Sequence, residues 1–342
     1  MIIRSRAPLR LGLAGGGTDV SPYSDEFGGC VLNASINMFA HTTIEVSDST
    51  TLCLFLAQDI GVIDQLDTKK RVQLEGPLRL HRAVYKRVME DFNNSIYIPL
   101  KVSTYTDVPP GSGLGSSSTM VVSMLEAYKR LLSLPLGEYD IAKLAYEIER
   151  VDCGLSGGKQ DQYAATFGGF NFIEFYSNDR VIVNPLRIRR HIVNELEASM
   201  ILYYTGQSRD SDKIINDQVF AMKNSDTGSL AAMHDVKSSA YRTKEMLLKG
   251  DILGVANELK YAWKAKKATS ASISNKLICE LEKVALNAGA ISLKISGAGG
   301  GGFIMIFVQP EAKLNVVRAL TKFDGQVHRF QFTEEGSMTW TV

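Results

Sequence analysis

Several signals are missing from this 342-residue chain, and each absence removes a class of protein. Charge of one sign is missing: 38 Lys and Arg stand against 37 Asp and Glu, a formal charge of +1. That balance argues against a nucleic-acid binder or a protein held to a membrane by a polybasic patch, though not against a local basic pocket. The four cysteines, Cys30, Cys53, Cys153 and Cys279, contain no C-x-x-C pair, so neither a zinc site nor a disulfide framework is implied. Reduced thiols packed as small apolar groups are expected instead. The five histidines (41, 81, 191, 234 and 328) show no ligand spacing and read as structural. Long apolar runs are missing too; the strongest late one, F-I-M-I-F-V at 303–308, is far too short to span a bilayer. The N-terminal M-I-I-R-S-R-A-P lacks the apolar stretch of a signal peptide, which makes a cytoplasmic enzyme the expectation. No internal repeat and no low-complexity linker is visible.

What is present is ordinary in amount and uneven in placement. Apolar residues make up 45% and charged residues 22%, the composition of a soluble globular protein, and the length favours two domains. Strand-like segments lead into A-G-G-G at 14–17 and recur at 38–46, 51–56 and 98–105, rich in β-branched and aromatic residues. A helix is predicted over 78–92, with Leu80, Val84, Val88 and Phe92 on one face. Another follows residue 115, striped by Met120, Met124, Tyr128 and Leu131 with Val121, Leu125 and Leu132 beside them. The texture changes near Asn184–His191. A strand at 200–204 precedes a long helical region, about Asp212 to Asn287, interrupted near Gly228 and Gly250, and strands close the chain at 325–341. The mixture without regular βαβ alternation predicts an α+β fold in two domains, 1–185 and 186–342.

The 29 glycines gather at 12–17, 111–115, 154–169 and 297–302. The second cluster, P-P-G-S-G-L-G-S-S-S-T at 109–119, lies between a strand and a helix. Glycines there let successive N–H groups point into one concavity, and Ser116, Ser117 and Ser118 fall where the helix dipole favours an anion. Phosphate binding is the reading, with Ser hydroxyls as donors or Mg²⁺ ligands. A Walker loop is excluded because no Lys follows the last glycine, and a Rossmann fingerprint because the third glycine comes one residue early. The fourth cluster, G-A-G-G-G-G at 297–302, matches G-x-G-x-x-G literally but joins two strands; it reads as a hairpin tip or as a loop approaching a ligand or another loop. In the first, A-G-G-G-T-D at 14–19 with Arg10 before it, either a plain surface loop or an Arg and an Asp meeting a polyol is open. The third, C-G-L-S-G-G-K-Q-D-Q-Y at 153–163, holds Lys159 and Asp161, a turn-capping carboxylate or a functional one. Glu149, taken alone, reads as a solvated surface residue.

Together the clusters resemble the GHMP kinases, the superfamily of galactokinase, homoserine kinase, mevalonate kinase and phosphomevalonate kinase. Pro109–Thr119 is similar to the family's P-x-x-x-G-L-G-S-S-A motif, Gly297–Gly302 to its late G-x-G-G-G loop, and Arg10–Asp19 to its N-terminal motif, in the family's order. The resemblance implies a two-domain kinase with an N-terminal ribosomal-protein-S5-domain-2-like half, a C-terminal ferredoxin-like half and the active site between them. It implies ATP and Mg²⁺. Pro110, Gly111, Ser112, Gly113, Leu114, Gly115, Ser116, Ser117 and Ser118 would wrap the ATP phosphates, Ser117 and Glu149 would hold Mg²⁺, and Asp161 would be the catalytic aspartate. Arg10 and Lys159 are candidates to stabilise the transferring phosphoryl group. Gly16, Gly17, Asp19, Gly299 and Gly300 join Arg10 and Asp161 on the substrate side.

Galactokinases carry a Glu-His pair where this chain has Gly16-Gly17, so galactose is not expected. The A-G-G-G-T-D segment, the residues after it and Y-T-G-Q-S-R-D-S at 204–211 are more similar to bacterial heptose 7-phosphate kinases, which phosphorylate the anomeric hydroxyl of D-glycero-D-manno-heptose 7-phosphate. That likeness implies a place in nucleotide-activated heptose synthesis for surface polysaccharide. L-Fucokinases share a related pattern and stand second. A phosphorylated substrate needs a cationic pocket, for which Arg209, Lys213 and the run Lys264, Lys266, Lys267 are candidates, although a charge run on a helix is usually a solvated face. A non-catalytic sugar sensor and a nucleic-acid module are the readings from other classes. Retention of Ser117, Glu149 and Asp161 opposes the first, and the charge balance opposes the second.

Overall fold

Two long antiparallel strands open the chain, β1 (Ile2–Ala14) and β2 (Gly29–Val46), joined by the first glycine loop and a short helix, α1 (Tyr23–Phe27). The fold is that of a computed structural model, and the structure describes residues 1–46, 51–207, 211–223 and 227–342, with the side chains of 211–213, 221, 223 and 271 also outside the description. After β2 come β3 (Leu52–Ala57), β4 (Val62–Asp67), α2 (Arg79–Phe92), β5 (Leu100–Thr106) and α3 (Ser116–Leu132). Helix α4 (Glu138–Tyr146) runs into a π-helical turn, Glu147–Asp152, and α5 (Gln160–Phe167), β6 (Phe170–Phe175) and β7 (Val181–Pro185) complete this half. The sheet order is β4-β3-β5-β2-β1, with β3 and β5 parallel and the other pairs antiparallel. At 18 residues β2 is long enough to hold two partners, β5 along 40–46 and β6 along 29–34.

The second half contains α6 (Arg190–Ala198), β8 (Met200–Tyr204), α7 (Ser211–Lys223), α8 (Thr227–Lys249), α9 (Ile252–Ala268) and α10 (Lys276–Asn287). It continues through β9 (Ala290–Ile295), β10 (Phe303–Val308), α11 (Lys313–Leu320) and β11 (Gln326–His328). The antiparallel order β11-β8-β10-β9 is the ferredoxin-like arrangement, fourth strand beside first and third beside second. A last strand, β12 (Met338–Thr341), returns to pair with β1 in the first sheet. The closing segment is thus only partly strand. Residues 329–337 between β11 and β12 run irregularly, touching β2 through an Ile36–Phe332 bridge.

Two sequence-based faces need correction. In α2 the buried residues are His81, Ala83, Val84, Tyr85, Val88 and Met89, while Leu80 is half-buried and Phe92 exposed. Steps of four residues advance 400° around a helix, so the Leu80-Val84-Val88-Phe92 row drifts off the core by its fourth member. Helix α3 is buried continuously from Ser118 to Tyr128, not along a stripe. It is wrapped by the sheet, α2, α4 and α5, so its polar Ser118, Thr119 and Ser123 lie inside as well.

Strand β10 explains how the halves are joined. All six residues are buried, alternating between two clusters: Ile304, Ile306 and Val308 pack within the second half, while Phe303, Met305 and Phe307 share a core with Leu9, Leu11, Leu13 and Leu32 of the first. The glycine loops lie along this shared boundary.

Candidate active site

Arg10 is the hub. It is buried on β1, and its guanidinium reaches the neighbourhood of the other three glycine clusters. Nη2 lies 2.5 Å from Asp161 Oδ1 and Nε donates to the same oxygen at 2.7 Å. Nη1 donates to the Gly113 carbonyl at 3.0 Å and to Ser296 Oγ at 3.2 Å. Five donors in a rigid fork suit a residue that must tie three loops at once.

The glycines are placed where those loops would otherwise collide. At Gly302 a Cβ would overlap the Ser112 carbonyl, which accepts the Phe303 N–H at 2.9 Å, so the fourth cluster lies directly on the second. At Gly158 a Cβ would overlap the Asp19 carboxylate, so the third lies on the first. Asp19, buried, accepts from Gly17 N, Gln160 N and Gln160 Nε2, each at 3.1 Å. It thereby docks the first loop onto the start of α5, whose first turn carries Asp161.

These contacts frame a cleft of about 450 Å³. From the phosphate loop Pro110, Gly111, Gly113, Gly115, Ser116 and Ser117 line it. Gly111, Gly113 and Gly115 all have φ between 71° and 85°, and Gly115 ends the loop in left-handed conformation just before α3 begins. The N–H groups of the first turn, Ser116–Ser118, have no acceptor within the helix and face the loop side. Ser112, Leu114 and Ser118 turn inward: Leu114 packs in the shared core and Ser118 Oγ donates to Glu149 Oε2 at 2.6 Å. From the fourth cluster Gly297 and Ala298 line the cleft, whereas Gly299 and Gly300 pack on residues 273–275, with Gly300 N donating to the Ile273 carbonyl at 2.8 Å. Gly17 and Asp19 line it from the first cluster, with Gly16 just behind.

Glu149 is no surface residue. It lies fully buried in the π-helical turn at the cleft wall, where its Oε1 accepts from Ser117 Oγ at 2.7 Å and Oε2 from Gln162 Nε2 at 2.7 Å. Ser117 Oγ and Glu149 Oε1 form an all-oxygen pair at the cleft edge, the donor chemistry of a hard cation. Among the described residues no group of three or more His, Cys, Asp or Glu is disposed to hold a metal.

Lys159 is not brought to this cleft. Its ammonium pairs with Asp179 at 2.5 Å and lies 5.3 Å from the Tyr146 ring centre, in a separate depression on the far side of α5. Arg209 lies outside the described residues, as does the Lys213 side chain. Of the lysine run, Lys264 is exposed and Lys267 pairs with Glu282 at 3.0 Å, while Lys266 is buried and lines the cleft.

Several members escaped the sequence reading. Gln160 and Gln162 flank Asp161 within K-Q-D-Q and bind Asp19 and Glu149. Arg150 lines the cleft beside Glu149 and donates to the Ser156 carbonyl at 3.1 Å. Lys294, fully buried behind the first loop, donates to the carbonyls of Gly12 at 2.9 Å and Leu13 at 3.1 Å. Burial, reinforced by Lys266 and Arg10, pushes its ammonium down to about 7. A lone charge in the apolar strand I-S-L-K-I was the available signal for it.

A glycine-rich loop ending at a helix N-terminus and facing an Arg–carboxylate pair across an open cleft suits phosphoryl transfer. Comparison with known proteins agrees. The models for the GHMP kinases N terminal domain and the GHMP kinases C terminal domain match residues 79–169 and 244–325. The chain is 46% identical over 342 residues to the D-glycero-alpha-D-manno-heptose 7-phosphate kinase of Campylobacter jejuni, covering 99% of each. A solved structure of a D-glycero-D-manno-heptose 1-phosphate kinase from Bacteroides thetaiotaomicron superposes with a TM-score of 0.84 at 46% identity, again over 99% of each chain. More distantly, the bifunctional fucokinase/GDP-fucose pyrophosphorylase of Arabidopsis thaliana is 26% identical over 91% of this chain and 30% of its own length. The chain belongs to the GHMP kinase family, and it is a phosphotransferase. Membership implies ATP as the phosphoryl donor. Among the described residues no helix is long and apolar enough to cross a membrane.

Proposed function

We propose that this protein transfers the γ-phosphoryl group of ATP to the anomeric hydroxyl of D-glycero-D-manno-heptose 7-phosphate, giving the 1,7-bisphosphate. The observation that carries the reading is the Arg10–Asp161 pair standing in one cleft between the 111–115 and 297–302 loops. The likeness to heptose phosphate kinases over the whole chain supports the sugar.

The loop N–H groups and the α3 N-terminus hold the donor's phosphates, and Arg150 adds charge beside them. The apolar end of the cleft, with Ala57, Ile60, Leu78 and Leu80, accepts a flat base. Ser117 and Glu149 would hold Mg²⁺. When bound, that ion neutralises phosphate charge and helps fix the γ-phosphoryl for in-line attack. Asp161 orients the acceptor hydroxyl and takes its proton, and Arg10 fixes the position of the carboxylate. Asp19 sets the α5 start against the sugar loop.

An ADP-release assay with purified protein, ATP and Mg²⁺ across a sugar panel tests this reading. Heptose 7-phosphate should be turned over with the highest kcat/KM. Turnover of fucose without turnover of the heptose phosphate would replace it.

A further inference from the structure

Four cationic side chains line the cleft among the described residues, Arg10, Arg79, Arg150 and Lys266, and the fold gives them different stations. Arg79 begins α2 beside Leu78 and His81, at the apolar end. Arg150 lies at the phosphate-loop end, with Nη2 donating to Ser118 Oγ at 3.3 Å and 3.5 Å from Glu149 Oε2. Arg10 is engaged by Asp161. Lys266 alone comes from the second half, in the last turn of α9, and its Nζ donates to the Gly16 carbonyl at 2.6 Å. We infer that Lys266 recognises the acceptor's own phosphate and selects a phosphorylated sugar over a neutral one. The inference rests on the sugar phosphate proposed above.

Position is the first argument. The acceptor's phosphate must be met away from the donor's, and Lys266 stands over the first glycine loop at Gly16 and Gly17, the loop whose Asp19 accepts from Gln160 at the start of α5. Burial is the second. An ammonium largely removed from water attracts an anion far more strongly than an exposed one, which disqualifies Lys264. Lys267 faces Glu282 and the Trp263 ring. Sequence is the third. A Cβ on Gly17 would come within 2.8 Å of Lys266 Nζ, so the glycine lets the ammonium lie close against the loop backbone. Behind the same stretch of backbone Lys294 donates to Gly12 and Leu13, and it feels the charges of both Lys266 and Arg10.

The test compares the full-length wild type with Lys266→Gln and Lys264→Gln, each supplied with ATP and either heptose 7-phosphate or unphosphorylated heptose. Gln keeps a donor for the Gly16 carbonyl while removing the charge. Lys266→Gln should raise KM for the 7-phosphate by about 10- to 100-fold, the range of a lost charged hydrogen bond. The ratio of its kcat/KM for the 7-phosphate to that for the neutral sugar should fall by the same factor, and Lys264→Gln should match wild type throughout. If Lys266→Gln is not recovered folded, Lys266→Met fills the same volume and serves the same comparison. Equal losses for both sugars, or no loss, overturn the inference and leave the proposed substrate standing. A wild type with no preference for the 7-phosphate overturns both.

Discussion

Arg10 and Asp161 lie 151 positions apart and meet at 2.7 Å. Both are motif residues, so each was legible as a candidate; that one grips the other while also holding Gly113 and Ser296 was not, because pairing across three loops is written only in three dimensions. The opposite error occurred at Lys159, which shares the Asp161 motif yet points to Asp179 on the other side of α5. Neighbouring helical positions are 100° apart, and proximity in sequence says little about direction. Asp161→Ala should lower kcat by about 10²- to 10⁴-fold while ATP affinity, measured by calorimetry, stays within a few-fold. Undiminished turnover would remove Asp161 from the chemistry. Glu149 is the residue whose isolated reading failed most clearly, because a carboxylate that accepts from Ser117, Ser118 and Gln162 can be fully buried without being unsatisfied. Glu149→Gln leaves one of those donors facing a donor. It should cost about 1–3 kcal/mol of stability and raise the Mg²⁺ concentration needed for half-maximal activity; an unchanged Mg²⁺ titration contradicts the ligand role.

At the scale of elements, strands and helices were legible because period and glycine punctuation are local. Burial of α3 on all sides was not, since it depends on what α2, α4 and α5 do around it. The glycine loops follow the same division. Their flexibility was readable, but the reason for it is mutual contact: Gly302 presses on the Ser112 carbonyl and Gly158 on Asp19. Gly302→Ala should therefore push the 297–302 loop off the 111–115 loop, lowering kcat at least about tenfold and lowering the melting temperature by several degrees. An alanine variant with wild-type kinetics would show that the loops do not need that contact. Helix α2 supplies a pH-dependent element. His81 is buried beneath it, 2.8 Å from Thr104 Oγ1, and burial pushes its imidazole down to about 4 against the opposing pull of Asp59 and Asp64. Between about pH 6.5 and 4 the unfolded chain binds a proton that the folded one refuses, so stability falls with acidification across that window, by at most about 3 kcal/mol, and levels below it. His81→Gln keeps a hydrogen-bond group and should flatten that part of the melting-temperature profile; a profile as steep as wild type's rejects the assignment.

The molecule as a whole is two halves that share one core along β10, and its near-neutral charge has a physical meaning in that setting. In the proposed reaction backbone N–H groups, one helix terminus and a handful of buried cations meet the substrates' phosphates, so a phosphate-handling protein needs no overall basic excess. The central claim is that this cleft joins a phosphoryl group to an anomeric oxygen. Phosphorus NMR of the product formed from ATP and heptose 7-phosphate tests it most directly. The account predicts a second sugar-phosphate resonance, coupled to the anomeric proton, growing in step with ADP while the 7-phosphate signal persists. ADP release without that resonance, or phosphorylation at another carbon, contradicts it.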